Sequence, residues 1–410
     1  MSAQAELAAR LGPRPLPLHL TIAGATWLSS LAGLSALRSG SPIWNSELRP
    51  RAANLAEGLR PHPPELMAEA LSAEIRARVG AYLDGIARYR HHPYRRALAD
   101  PPVLWRAGTT RLLDHRPEGP ARAAALFVPS LINRAYVLDL APGQSLMRHL
   151  ANVGIRAFLL DWDAPGATEA GFGLDDYVLG RLGPALDAAV EAHGGPVVLV
   201  GYCMGGLLAL PLALQRPQQV SALALLATPW DFAADGGVQR RLLLSQELML
   251  RAAIEQFGLL PTDLVQALFT GLDPLLSLRK FLRFAALEPM SPAALAFVAL
   301  EDWLNDGVPL IGRVARQCLF GWYGDNEPGR GVWRVGGATV DPAKLEVPSL
   351  AVVPAEDRIV PPPSAEALAC ALPSPEIWRP ALGHIGMMAS ARARATIYEP
   401  LARWIVATAK

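Results

Sequence analysis

The segment from Val197 to Leu210 limits what this chain can fold into more than any other. It reads VVLVGYCMGGLLAL. A short apolar run with the length of a buried strand gives way to a leucine- and alanine-rich run of helical character. Between them stands Gly201-Tyr202-Cys203-Met204-Gly205, with a glycine two places to either side of a cysteine. A turn that sharp brings the strand and helix backbones together and leaves no room for side chains at the flanks, while it exposes the residue at its apex. With 35 glycines and 3 cysteines in 410 residues, composition alone would produce the pattern about 0.02 times. The competing reading is a small buried hydrophobe, the common fate of a lone cysteine.

The surrounding rhythm agrees with a strand–turn–helix unit. Short strands are expected across Val103 to Leu113, then at Ala123 to Val128, Ile155 to Leu160, Pro196 to Val200 and Ser221 to Ala227. Helical patterns at Gln144 to Asn152 and Asp175 to His193 alternate with them. Such alternation predicts a mostly parallel sheet with helices on both faces. From Asp231 to about Asp306 the pattern is wholly helical, and the strand rhythm resumes at Ser349 to Val353. The expected organisation is a helical N-terminal region (1–95), the first part of an α/β core (96–230), a helical cap (231–306) and the rest of the core (307–410). A cap in that place would exclude water and shape a substrate pocket.

A thiol nucleophile needs a base, and the base needs an acid to orient it. In a fold with this elbow the order along the chain is nucleophile, acid, base. Of eight histidines only His384 follows the elbow, flanked by Gly383 and Gly386 after the apolar Ile377-Trp378. A solvated loop histidine is the alternative. The acid should stand just past the strand Ser349 to Val353, where Glu356 and Asp357 are neighbours and Asp357 is the more natural choice. An oxyanion hole would take the backbone N–H of Met204, after the nucleophile, and that of Ile132, in the loop after Ala123 to Val128. Together these features predict the α/β-hydrolase fold.

At this point the chain resembles the polyhydroxyalkanoate synthases, enzymes similar to lipases with cysteine in place of serine at the elbow. The likeness rests on GYCMGG, on Val128 to Pro142 (VPSLINRAYVLDLAP), on Asp161-Trp162, and on Thr228-Pro229-Trp230-Asp231-Phe232. It also rests on Ala355 to Pro362 (AEDRIVPP) and on Gly383 to Gly386 (GHIG). Asp163 follows Trp162 where the family usually has glycine or arginine. The resemblance runs from about Arg95 to the C-terminus and favours Asp357 over Glu356 as the acid. It implies a Cys203–Asp357–His384 triad that polymerises 3-hydroxyacyl-CoA through a Cys203 thioester, releases CoA and uses no metal or redox cofactor. It further implies a growing polyester chain, a homodimer or a partner synthase subunit, and a cytoplasmic location on the polymer granule surface. The competing classes are a thioesterase, esterase or polyester depolymerase on the same scaffold, and a non-catalytic granule-associated subunit.

Charge and cysteine usage narrow the field further. A formal net charge of +1 argues against nucleic-acid binding, which needs a basic excess to neutralise phosphates. Three cysteines, Cys203, Cys318 and Cys370, with no CxxC pair argue against a disulfide framework or a zinc site. Met1 to Arg10 is a poor signal peptide. Pro15 to Leu37 carries no Asp, Glu, Lys or Arg; it is expected to be a helix packed on protein, with surface attachment or a membrane span as alternatives.

Overall fold

The computed structural model describes residues 10–39, 44–234 and 236–409. The signal-peptide reading of Met1 to Arg10 falls, except for Arg10, outside the described residues. The chain forms two compact units: residues up to 94 with 273–305, and residues 95–272 with 306 to the C-terminus.

The larger unit is built on a sheet of eight strands. In chain order these are β1 (Val103–Ala107), β2 (Thr110–His115), β3 (Ala123–Val128), β4 (Ile155–Asp161), β5 (Val197–Tyr202), β6 (Val220–Leu226), β7 (Ser349–Val352) and β8 (Glu376–Trp378). Across the sheet they lie in the order β1-β2-β4-β3-β5-β6-β7-β8. β1 and β2 form an antiparallel hairpin and β2 pairs antiparallel with β4. From β4 to β8 every pairing is parallel. β3 and β5 are buried at every residue. A parallel strand covered on both faces has no solvent side, which is why these segments read as continuous apolar runs without alternation. The helix Met204–Gln215 follows β5 and is buried from Met204 to Ala213.

The helix expected over Asp175 to His193 is present from Leu174, but its turn at Val178–Leu182 is widened into a π-helix. Pro184 stands at the start of the following segment. Its ring would collide with an ordinary preceding turn and its nitrogen donates no bond, so the extra residue absorbs the mismatch.

The smaller unit contains the helices Leu16–Ser39, Arg49–Leu59 and Pro64–Arg90, joined by Leu276–Ala285 and Pro292–Asn305. This divides the expected cap. Residues 231–272 group with the α/β core, whereas 273–305 group with the N-terminal helices. The physical reason is an aromatic core. Phe281 packs edge-on to Tyr82, Tyr89 and Phe297, and Phe284 stacks on Phe297 at 4.3 Å. A buried ion pair, Lys280 Nζ to Glu301 Oε1 at 2.7 Å, ties the two late helices together.

The helix Leu16–Ser39 has 24 residues and is long and apolar enough to cross a membrane. Within its unit His19, Ala23 and Trp27 are buried, while Leu20 and Leu28 are exposed. Thr21 and Thr26 donate to the carbonyls of Pro17 and Ile22, four residues back. Their hydroxyls are thereby satisfied inside the helix, which lets it pass as apolar.

Candidate active site

The elbow forms at the carboxyl end of β5, between β3 and β6. Its apex, Cys203, takes φ 57° and ψ −127°, a left-handed conformation that is costly for a residue with a side chain. Closeness of backbones accounts for the flanking glycines. A Cβ on Gly201 would sit 2.3 Å from Gly206 Cα, and one on Gly205 would sit 1.9 Å from the Val128 carbonyl oxygen. Cys203 N–H donates to the Leu226 carbonyl at 2.8 Å, which anchors the turn to β6. The thiol is half-buried.

The acid comes from the turn after β7. Asp357 Oδ1 accepts the backbone N–H groups of Ile359 and Val360, at 2.8 and 2.9 Å. Oδ2 is left to face the imidazole, with His384 Nδ1 at 2.7 Å. Glu356, the rival in sequence, is exposed; its N–H donates to the Leu382 carbonyl and so ties the acid turn to the histidine loop. His384 and Asp357 are both buried.

With Nδ1 engaged by Asp357, the other ring nitrogen is left for the thiol, and the Cys203 sulfur acts electrostatically on the imidazole. Burial works against a charged imidazole. The Cys203 sulfur and the Asp357 carboxylate outweigh it and raise the His384 pKa to about 10. This site therefore favours the imidazolium. Sequence reasoning missed one further contact. Tyr202, inside the elbow, stacks on the His384 ring at 5.2 Å and donates its hydroxyl to the His384 carbonyl at 3.1 Å. Nothing in the spacing of the motif signals that contact, because the loop it meets lies 182 residues on.

Met204 and Ile132, the expected oxyanion donors, line the same cavity as Cys203. Met204 N–H opens a helix, where the first amides have no partner within the helix. Ile132 is arranged differently: its N–H donates to Ser130 Oγ at 3.3 Å, a local serine turn. Its donor therefore becomes available to a ligand only when Ser130 yields it. The Ile132 carbonyl accepts from Val308 N–H at 3.2 Å. Trp162 Nε1 donates to the Pro129 carbonyl at 2.9 Å, holding the base of that loop. Arg134, at its far end, is paired with Asp163 and with Asp306. Asp163 has φ 57°, a conformation that glycine takes without strain.

A cavity of about 140 Å³ opens beside Cys203. Its walls come from the elbow, from Pro229 and Phe232 after β6, and from Leu242 and Leu243 of the helix Val238–Leu244. The helix Thr262–Leu272 and the segment Gln317–Gly324 close it. Among the described residues no group of three or more His, Cys, Asp or Glu side chains is arranged to hold a metal ion.

Comparison with known proteins adds three findings. A sequence model of the alpha/beta hydrolase fold matches residues 126–388. The chain is 30% identical over 308 residues to a poly(3-hydroxyalkanoate) polymerase subunit PhaC of Haloferax mediterranei, covering 74% of this chain and 63% of that one. It is 29% identical over 297 residues to the subunit of the same name from Allochromatium vinosum, covering 71% of this chain and 83% of that one. The chain thus spans less than two thirds of the Haloferax relative's length. Among solved structures, a soluble variant of monoglyceride lipase from Saccharomyces cerevisiae matches with TM-score 0.51 at 14% identity, over 78% of this chain and 99% of that one. At that identity the likeness speaks for the fold alone.

Proposed function

This chain belongs to the α/β-hydrolase fold family, and we propose that within it the protein is a polyhydroxyalkanoate synthase-like acyltransferase acting through Cys203. The observation that carries the reading is the buried His384, tied to Asp357 at 2.7 Å and acted on electrostatically by a cysteine at a strained elbow. His384, having taken the thiol proton, stands as the imidazolium, and the sulfur attacks the carbonyl carbon of a 3-hydroxyacyl-CoA. The carbon–sulfur bond to CoA breaks, and CoA leaves as its thiol with the proton from His384. The 3-hydroxyl of a second unit then gives its proton to His384 and attacks the Cys203 thioester. An ester forms and the thiol is restored. Asp357 holds the imidazole in orientation throughout. Met204 N–H would stabilise the oxyanion, joined by Ile132 N–H once Ser130 releases it.

A thioester at Cys203 keeps the acyl group activated for a second alcohol, which favours transfer over hydrolysis. The steps as written balance without a metal or redox cofactor. The name of the relatives, a polymerase subunit, supports a partner subunit or a second copy as part of the working enzyme, and the family resemblance implies a cytoplasmic granule surface as its place of work.

The test is CoA release from 3-hydroxybutyryl- and 3-hydroxyoctanoyl-CoA, for wild type beside Cys203→Ala, with the acyl product identified. Insoluble polyester is expected from the wild type, with release lowered at least about a thousandfold in the variant. Free 3-hydroxy acid as the product would replace transfer by hydrolysis. Release that survives the substitution, or none from either thioester even with a candidate partner subunit added, would overturn the role of Cys203.

A further inference from the structure

The loop that carries Ile132 is pinned on both sides of that residue. Upstream, Trp162 Nε1 donates to the Pro129 carbonyl at 2.9 Å. Downstream, Val308 N–H donates to the Ile132 carbonyl at 3.2 Å, Asn133 forms an antiparallel bridge with Gly307, and Arg134 pairs with Asp306. The direction of the Ile132 N–H is therefore set by backbone that turns only if several of these bonds break. The Ser130 side chain is different, because its hydroxyl moves by rotation about one bond.

Ser130 is buried and stands behind the cavity wall: Ile132, Cys203 and Met204 line the cavity and Ser130 does not. Its oxygen accepts the Ile132 N–H at 3.3 Å, longer than the usual distance of about 2.9–3.0 Å. Among the described residues its hydroxyl donates only to the Met204 thioether sulfur, at 3.8 Å, and a thioether is a weak acceptor. One hydroxyl thus touches both residues expected to form the oxyanion hole, and it holds each loosely.

The Ile132 amide accordingly has two acceptors of unequal strength to choose between. Against the neutral carbonyl of a bound thioester, the serine oxygen competes on equal terms. Against an oxyanion it does not, since charge-assisted hydrogen bonds are roughly twice as strong as neutral ones. The amide would change partner as charge develops, so its bond to substrate belongs to the transition state.

Resting on the acyl-transfer reading above, we propose that Ser130 is a positioning residue, a latch that withholds the Ile132 N–H from the ground-state carbonyl and yields it to the oxyanion. Rotation of one hydroxyl opens the second half of the oxyanion hole, while the loop and the segment 306–308 stay in place. The latch weakens the grip on the unreacted thioester and leaves the saturated rate intact. It also keeps a half-buried amide satisfied while the site is empty.

Three probes test this: the single-turnover burst of CoA from 3-hydroxybutyryl- and 3-hydroxyoctanoyl-CoA, a CoA-linked trifluoromethyl ketone, and S-butyl-CoA, a thioether without a carbonyl. The Cys203 sulfur adds to the ketone carbon, its proton passes to His384, and the resulting oxyanion occupies the hole. In Ser130→Ala and Ser130→Val the half-saturating thioester concentration should fall about fivefold, the worth of one ordinary hydrogen bond. The saturating burst rate should change less than about twofold. Both variants should bind the ketone about fivefold more tightly, and the thioether within about twofold of wild type. Ser130→Thr, which has the shape of valine and keeps the hydroxyl, should stay within about twofold of wild type throughout. In the wild type itself the Ile132 amide proton should move downfield when the ketone adds, a reading that needs no variant. An unmoved amide would overturn the latch, as would ketone affinity that is unchanged or weakened when the hydroxyl is lost. Ketone and thioether tightening alike, or valine and threonine variants behaving alike, would overturn it too. Ketone binding as tight in Cys203→Ala as in wild type, or no burst from either thioester, would instead strike the acyl-transfer reading itself.

Discussion

Two buried histidines in the larger unit, His384 and His115, differ in almost everything except burial. His384 stands beyond the carboxyl ends of the parallel strands, with Asp357 on one side and Cys203 on the other. His115 closes β2 towards the opposite end of the sheet, where it pairs with Ala157 of β4. Its Nε2 is buried without a partner. Burial lowers its pKa to about 4, and Asp139 opposes this only in part. The same burial that makes one imidazole neutral is overridden at the other by two neighbours. The electrostatic character of the sheet's two ends is set by partners, and depth alone predicts neither.

The most forceful way to break that contrast is His384→Gln, which keeps a polar side chain but removes the proton acceptor. CoA release should fall about a thousandfold in kcat, the range of a lost general base, with folding retained by circular dichroism. Wild-type kcat in this variant would make the Asp357–His384 pair structural.

The second test sharpens the contrast through pH. His115 has a folded-state pKa below its unfolded value, so its contribution to stability is whole above about pH 6.5 and is lost as pH falls towards 4. The loss should reach about 3 kcal/mol, and His115→Leu should flatten it. Urea unfolding at pH 7.5 and 4.5 measures both. His384 has the reverse sign: its raised pKa gives a contribution present below about pH 6.5 and lost as pH climbs through about 10. Parallel acid profiles for wild type and His115→Leu would show that His115 is not held neutral.

The smallest effect is expected from Tyr202→Phe, which deletes the hydroxyl bonded to the His384 carbonyl but keeps the stacked ring. About 1 kcal/mol of stability should go, with kcat lowered less than about tenfold. A much larger fall in kcat with unchanged stability would make Tyr202 a positioning residue in its own right.

Much of this site could be read from sequence because its demands are local. The elbow is a steric pattern within five residues, and His384 is the one histidine downstream of it. Asp357 could be located to within one position, since the end of β7 fixes the neighbourhood and only side-chain direction separates it from Glu356. What could not be read depends on distant partners. The transfer of 273–305 to the N-terminal helices follows from rings such as Tyr82 and Phe281 meeting across about two hundred residues. Ile132 is identifiable as a loop residue, but the capture of its N–H by Ser130 is a matter of side-chain rotation.

The left-handed backbone at Cys203 has a consequence beyond aiming the sulfur. Strain of that kind costs on the order of 1–3 kcal/mol, and the folded protein carries it whether or not substrate is present. A glycine at the apex would relax it and, with Cys203 as the proposed nucleophile, would abolish the chemistry. Selection for durability and selection for turnover therefore pull this one position in opposite directions. The surrounding sheet, buried on both faces, must be over-stable by at least that amount for the elbow to persist.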